Sequence, residues 1–217
     1  MVIMGGAKLR DKIPLIMNML DRVDEMVLGG GISYTFLKRL RNMEIGNSLF
    51  DPHGYELVPE IMKKAEEKGV KIHLPDDIIC APGVDGSEIR TVTVDEGIPE
   101  GWEAFDEGDI TKQKYQDLML GSKTIIWNGP LSFFENPKFR NISYGVLDSM
   151  IKATAQGAIT IAGGGDTGAM IRTMPGAEEK ISHVSTGGGA SLELLEGKKL
   201  PGIEFLTNKE DLERITM

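Results

Sequence analysis

Four short runs of apolar, partly β-branched residues occur along the chain, and each is followed by a glycine loop. Runs of this length and composition are typical of buried strands. After the first two loops, apolar residues recur three and four positions apart, which predicts helices that bury one face. We therefore predict a repeated unit of strand, glycine loop and helix. The strands are Val2–Met4, Met26–Leu28, Ile159–Ala162 and Ile181–Val184, and the helical positions are Ile13, Ile16, Met17 and Leu20, then Ile32, Phe36, Leu37 and Leu40.

The rest of the chain continues this alternation of strands and helices. Further helices are predicted at 55–68, with Gly69 as a C-terminal stop, and at about 137–156. Alternating strands and helices predict an α/β fold, with a three-layer, Rossmann-like, mostly parallel sheet and helices on both faces. We interpret residues 1–217 as a single domain. Additional buried strands are predicted at Val70–His73, Ile89–Val94 and Lys123–Trp127.

Two stretches depart from the repeated unit. Residues 74–108 contain Pro75, Pro82 and Pro99, so we expect a hairpin or long loops there and not a second domain. The strand Val2–Met4 has no element before it. Either it is an edge strand, or the chain is a piece of a longer protein, and we expect the latter.

Charge and cysteine content narrow the function. The 24 Lys and Arg against 33 Asp and Glu give a net charge of −9, without a basic block. Binding to nucleic acid or to an anionic membrane is therefore not expected. The single cysteine, Cys80, excludes a disulfide framework and suits a reducing compartment. We expect a cytoplasmic protein that is a monomer.

The glycines favour a ligand site. Eleven of the 27 glycines lie in four runs: Gly5-Gly6, Gly29–Gly31, Gly163–Gly165 and Gly187–Gly189. The carboxyl ends of parallel strands share one edge of a sheet, where helix N-termini and bare backbone N–H groups favour anions. Such loops also make tight turns, but four of them favour a large phosphate-bearing ligand.

Charged residues lie beside two of these loops. Lys8 and Lys12 follow the first loop. A cation near a helix N-terminus opposes the helix dipole, which favours a phosphate-binding role for Lys8 and leaves Lys12 open between that role and a solvated side chain. Asp166 follows the third loop and is either the N-cap of the next helix or a ligand of Mg²⁺.

Two common nucleotide motifs fit poorly. Residues 163–168 satisfy G-x-G-x-x-G, but the next predicted strand ends in Val184-Ser185-Thr186, without the acidic residue that holds a ribose in dinucleotide sites. A Walker loop is absent from the sequence. A dinucleotide-dependent oxidoreductase therefore stays only as an alternative.

Motifs along nearly the whole chain resemble the C-terminal, nucleotide-binding half of the phosphoglycerate kinase family. The matching segments are Gly5-Gly6-Ala7-Lys8 with Asp11-Lys12, residues 29–31 and 35–38, Ser48-Leu49-Phe50-Asp51, Gly97-Ile98-Pro99 with Gly101-Trp102, Trp127-Asn128-Gly129-Pro130, residues 163–167 and residues 182–197.

The resemblance implies reversible phosphoryl transfer between 1,3-bisphosphoglycerate and ADP in glycolysis, with Mg²⁺ and ADP or ATP held by this half. It also implies that 3-phosphoglycerate or 1,3-bisphosphoglycerate is held by an N-terminal domain that this sequence lacks. The implied catalytic residues are Lys8, Thr186, Gly187 and Gly188, and the implied metal ligand is Asp166. The implied nucleotide-binding residues are Gly6, Ala7, Lys12, Gly30, Gly31, Leu49, Asn128, Pro130, Phe133, Glu135, Gly164, Gly165 and Thr167.

Two positions depart from the family pattern. Ser132 stands where the family usually has glycine, and Asp109 where it has proline. Ser132 could crowd the sugar pocket, which makes the roles of Phe133 and Glu135 less secure. We expect the isolated chain to bind Mg-nucleotide with little turnover. A nucleotide-binding fragment without any catalytic role is the second alternative.

Overall fold

A computed structural model describes residues 1–206 of the chain. Six strands form one sheet in the order β3-β2-β1-β7-β8-β9, and every neighbouring pair is parallel. β1 therefore lies inside the sheet, between β2 and β7, which excludes the edge-strand alternative for its position. The strands are β1 Val2–Met4, β2 Glu25–Leu28, β3 Lys71–His73, β7 Thr124–Asn128, β8 Ile159–Gly163 and β9 His183–Val184.

Helices cover both faces of this sheet, as predicted. Alternate strand residues point to opposite sides, so Ile3 joins one apolar core while Val2 and Met4 join the other. The fold is thus three-layered. Within residues 1–206 the helices are α1 Ile13–Met19, α2 Gly31–Arg41, α3 Pro52–Lys68, α4 Asp109–Leu120, α5 Asn141–Ala155, α6 Gly165–Arg172, α7 Gly189–Leu195 and α8 Pro201–Glu204.

Most predicted helices are confirmed, with corrections at their ends and faces. α3 begins three residues earlier than predicted because Asp51 caps it, and it ends at Gly69 with a left-handed φ of 69°. Leu40 was predicted to face the core but is 40% exposed. α4 was not predicted, because its polar sequence carries only Thr111, Tyr115 and Met119 as buried positions.

The stretch over residues 74–108 forms a second, three-stranded antiparallel sheet in the order β5-β4-β6. Its strands are β4 Asp77–Ala81, β5 Arg90–Thr93 and β6 Glu103–Glu107. The predicted hairpin is thus present, with one more strand than expected. The prediction of a buried strand at Ile89–Val94 is wrong about burial, because β5 is paired on one side only and is mostly exposed.

No helix within residues 1–206 has the length and apolar character needed to cross a membrane.

Candidate functional site

A cavity of 470 Å³ opens at the carboxyl edge of the parallel sheet. β1, β2, β7 and β8 end at this edge in Met4, Leu28, Asn128 and Gly163, and each is followed at once by a glycine. The prediction that the four glycine runs share one edge is confirmed, because the strands that precede them, β1, β2, β8 and β9, run parallel in one sheet. Most predicted site residues line the cavity: Gly6, Ala7, Lys8, Lys12, Gly30, Gly31, Leu49, Pro130, Phe133, Glu135 and Asp166.

Three of the predicted charged residues, Lys8, Lys12 and Asp166, line the cavity. Lys8 is exposed, and within residues 1–206 its side chain is in no ion pair. Asp166 is exposed in the first turn of α6. The N-cap interpretation of Asp166 is wrong, because Gly164 occupies that position and no side chain caps the helix. The Asp166 carboxylate is therefore not used in capping and faces the cavity with the lysines.

Lys12 is held against the carboxyl edge of the sheet. Its ammonium donates a hydrogen bond to Asn128 Oδ1, and the Asn128 amide donates in turn to the Gly163 carbonyl at 2.9 Å. Burial lowers the pKa of Lys12, while nearby carboxylates, with Asp166 first, act to raise it. Asn128 therefore orients the partly desolvated ammonium of Lys12. Asn128 does not itself line the cavity.

The floor of the cavity requires glycine at two positions. Gly30 has a φ of 61°, in the left-handed region that glycine adopts without strain. A Cβ on Gly31 would lie 2.7 Å from the Ala7 carbonyl oxygen and 2.8 Å from Leu49 Cδ1. The first and second glycine loops are therefore packed directly against each other.

Exposed apolar side chains also line the cavity, as does Glu135. Phe133 is 39% exposed and Leu49 52% exposed, so both offer open apolar surface. Phe133 contacts Phe105, with ring centroids 6.0 Å apart. Ser132 also lines the cavity, and its hydroxyl is hydrogen-bonded to the Ser143 hydroxyl on α5 at 2.7 Å.

Sequence reasoning missed several residues of this wall. Val84, Glu103, Ala104 and Phe105 come from the antiparallel sheet and the loop preceding β5, which the glycine pattern did not connect to the site. β6 has the sequence Glu-Ala-Phe-Asp-Glu and shows no alternation of polar and apolar residues, and three prolines in this stretch favoured loops. Tyr34, Ser132 and Asp11 also line the cavity.

The remaining predicted residues do not line the cavity. Thr167 is fully buried, and its hydroxyl accepts a hydrogen bond from the Gly129 N–H at 2.8 Å. Gly164 packs against Asn128, while Gly165 begins α6. Thr186, Gly187 and Gly188 follow β9 at the same sheet edge, with Gly188 as the N-cap of α7.

Fold and site together define an α/β protein whose carboxyl-edge cavity, with glycine loops and two lysines, suits a phosphate-bearing ligand. The family model described as phosphoglycerate kinase matches residues 1–198. The chain belongs to the phosphoglycerate kinase family, as the motifs indicated.

Individual relatives agree with this assignment. The chain is 51% identical to phosphoglycerate kinase 1 of Sus scrofa over 209 residues, which are 96% of this chain and 50% of that protein. It is 48% identical to phosphoglycerate kinase of Tetrahymena thermophila over 213 residues, which are 98% of this chain and 50% of that protein. The chain thus spans about half the length of the curated relatives that it matches.

Solved structures show the same fold. The structure of phosphoglycerate kinase from Coxiella burnetii superposes with a TM-score of 0.88 at 38% identity, covering 95% of this chain and 52% of that one. Phosphoglycerate kinase from Pyrococcus horikoshii has a TM-score of 0.76 at 24% identity, covering 94% and 50%, and shows the fold alone.

Proposed function

We propose that this chain is the nucleotide-binding half of a phosphoglycerate kinase and that its cavity holds Mg-ADP or Mg-ATP. The observation that carries this proposal is the set of groups that line one cavity. Lys8, Lys12 and Asp166 line it together with the exposed apolar side chains Leu49 and Phe133. A nucleotide calls for both kinds of group, because its phosphates are anionic and its base packs on apolar surface.

The glycine loops and cations position the phosphates in this proposal. Phosphoryl transfer needs little covalent help from the protein, so positioning and positive potential around the oxygens provide most of the catalysis. Lys8 supplies a cation without an ion pair in the described chain, and Lys12 supplies a second one oriented by Asn128. Thr186, Gly187 and Gly188 add N–H groups at the start of α7.

Asp166 suits a magnesium ligand. Within residues 1–206 no group of three or more His, Cys, Asp or Glu side chains could hold a metal. Mg²⁺ commonly binds through one carboxylate, with phosphate oxygens and water completing its shell, and it neutralises phosphate charge there. Asp166 is exposed beside the lysines, which fits that donor set.

In this proposal a second group of residues holds the base and sugar. Gly30, Gly31 and Leu49 flank the adenine, Pro130 and Phe133 pack on the base or sugar, and Glu135 accepts from the ribose hydroxyls. All six of these residues line the cavity. 3-Phosphoglycerate is bound outside this chain in the proposal, and a cytoplasmic, monomeric protein stays our prediction.

Calorimetric titration of the chain tests the proposal. We expect saturable binding of Mg-ADP that weakens when EDTA removes the magnesium. Lys63→Ala removes a charge at an exposed site on α3 that does not line the cavity, and it should bind Mg-ADP as the parent does. NAD binding without a response to ADP would instead support a dinucleotide enzyme, while binding to neither would contradict a nucleotide site.

A second assay tests the catalytic part. We expect the isolated chain to bind Mg-nucleotide but to give little or no turnover of 3-phosphoglycerate with ATP, because the groups that hold this substrate lie elsewhere. Enzyme-like turnover by this chain alone would contradict the proposal that a second domain is needed.

A further inference from the structure

A buried carboxyl lies directly beneath the second glycine loop. Glu107, the last residue of β6, is 0% exposed, and its Oε1 accepts a hydrogen bond from the Gly30 N–H at 3.0 Å. A Cβ on Gly29 would lie 2.5 Å from the same oxygen. The loop is therefore packed onto this carboxyl group and bonded to it.

Gly30 is tied at both of its peptide groups. Its amide bonds to Glu107, and its carbonyl accepts from the Ser33 hydroxyl at 2.7 Å and from the Ser33 N–H at 3.0 Å. Gly30 is the N-cap of α2 and has no side-chain cap of its own. Glu107 therefore fixes the amide side of a residue whose left-handed φ of 61° shapes the cavity floor.

Core packing alone does not explain a carboxyl at this place. Glu107 Oε2 and Tyr115 Oη are the two buried side-chain polar atoms within residues 1–206 that have no hydrogen-bond partner. A buried polar atom without a partner is unfavourable, and an apolar side chain of similar size would avoid it. What the carboxyl provides that an apolar residue cannot is the acceptor for Gly30.

The surroundings of Glu107 favour its neutral form. Burial raises the pKa of Glu107 well above its usual value, the Gly30 hydrogen bond and Lys114 oppose this, and the charges of Asp106 and Asp77 add to it. Tyr34 and Tyr115 are buried around the same carboxyl. The raised pKa favours the uncharged carboxyl, whose carbonyl oxygen glutamine would reproduce as the acceptor.

We propose that Glu107 is a positioning residue that holds the Gly29–Gly31 loop in its nucleotide-binding conformation through the Gly30 amide. The proposal rests on the nucleotide role given above. It gives the antiparallel sheet, whose β6 already contributes to the cavity wall, a second role in shaping a loop of the parallel sheet.

The test compares Glu107→Gln with Glu107→Leu, using Tyr115→Phe as a control that removes the other unpartnered buried polar atom. In Glu107→Leu we expect the Gly30 amide to exchange with solvent about tenfold faster in ligand-free protein, by NMR, because the hydrogen bond that protects it is lost. Mg-ADP affinity by calorimetry should fall by about tenfold, while the urea midpoint stays equal or rises. Glu107→Gln should stay within about threefold of the parent in both readouts, and Tyr115→Phe should change neither.

Each outcome decides the proposal. The proposal would be overturned if Glu107→Leu kept the Gly30 amide exchange rate and the Mg-ADP affinity of the parent, or if Glu107→Gln changed both as much as Glu107→Leu does. A merely structural role of Glu107 would lower the urea midpoint without changing Mg-ADP affinity. If Glu107→Leu does not fold, Glu107→Ala replaces it. In the parent itself an unprotected Gly30 amide would also overturn the proposal. Failure of the parent to bind Mg-ADP would refute the nucleotide role, and the exchange of the Gly30 amide would still decide the role of Glu107.

Discussion

Individual residues of the candidate site differ in how closely their neighbours constrain them. Lys8 has no ion pair within the described chain, whereas Lys12 is bonded to Asn128. Gly31 has no space for a methyl group between Ala7 and Leu49. Substitution of a lysine should therefore affect charge at the site, whereas substitution of the packed glycine should affect the shape of the cavity.

Lys8→Ala should separate catalysis from binding. In a two-domain enzyme that contains this half, we expect turnover to fall by on the order of 10²–10³, as for other preorganised groups that stabilise transition-state charge. Mg-ADP affinity should stay within about tenfold, because Lys12 and the glycine loops remain. Steady-state kinetics and calorimetry measure the two effects, and unchanged turnover would exclude the role given to Lys8.

Gly31→Ala should damage the cavity floor. The new Cβ would lie 2.7 Å from the Ala7 carbonyl oxygen, which is backbone and must shift. We expect a loss of stability of about 1–3 kcal/mol by urea denaturation, together with weaker Mg-ADP binding. Gly121→Ala is the control, because a Cβ there would make only an ordinary contact at 3.7 Å. Similar results for the two variants would contradict the steric argument.

At the scale of helices and strands, the N-cap of α3 connects distant parts of the chain. Asp51 is 3% exposed and caps α3, with Oδ1 accepting from the Gly54 N–H at 3.2 Å. Its Oδ2 accepts from the Arg10 N–H at 2.7 Å, in the short turn that follows Lys8. One carboxylate thus joins α3 to the segment that carries the first lysine.

Asp51→Ala should therefore cost about 2 kcal/mol of unfolding free energy, since a cap and a second hydrogen bond are both lost. Asp51→Asn, which keeps an acceptor for Gly54, should cost less. Burial acts to raise the pKa of Asp51, but the hydrogen bonds from Arg10 and Gly54 outweigh it and lower the pKa.

The sign of that shift gives a second check on Asp51. A lowered pKa in the folded state means that Asp51 stabilises the protein above its ordinary pKa of about 4 and loses this effect as the pH falls through the folded value. The difference between Asp51→Ala and the parent in urea denaturation should therefore narrow at acid pH. A constant difference would show that the charge of Asp51 contributes nothing.

At the scale of the whole molecule, the antiparallel sheet brings buried acids into the core. Asp106 is 0% exposed and accepts hydrogen bonds from the N–H groups of Asn141 and Ile142 at the start of α5. Burial nevertheless raises the pKa of Asp106 to about 7. Glu107 beside it is shifted in the same direction.

These acids make stability fall as the pH rises. Between an ordinary pKa of about 4 and the raised value, the folded state keeps protons that the unfolded chain has released, so unfolding free energy decreases by about 1.4 kcal/mol per pH unit for each such proton. Urea denaturation from pH 5 to 7 should show this slope, and Asp106→Asn should reduce it. A parent slope of zero, or one that Asp106→Asn leaves unchanged, would contradict the raised pKa of Asp106.

The sequence by itself determined the α/β class, the loops that share the carboxyl edge and the phosphoglycerate kinase family. Strands such as Val2–Met4, glycine runs and helix caps are local signals, and Gly69 ended α3 as predicted. The net charge of −9 does not argue against the proposed anionic ligand, because Lys8 and Lys12 both line the cavity.

Only the tertiary structure decided which distant residues complete the site. Phe105 and Glu107 come from β6, and the prolines around this strand led to the prediction of a loop. Phe105 contacts Phe133, which is 28 residues away in the chain, and Glu107 bonds to Gly30, which is 77 residues away. The sequence did not decide whether Asp166 caps α6 or binds a metal, whereas the structure places Gly164 at the N-cap position. Contacts between residues far apart in the chain depend on how sheets pack together, and no local pattern records that packing.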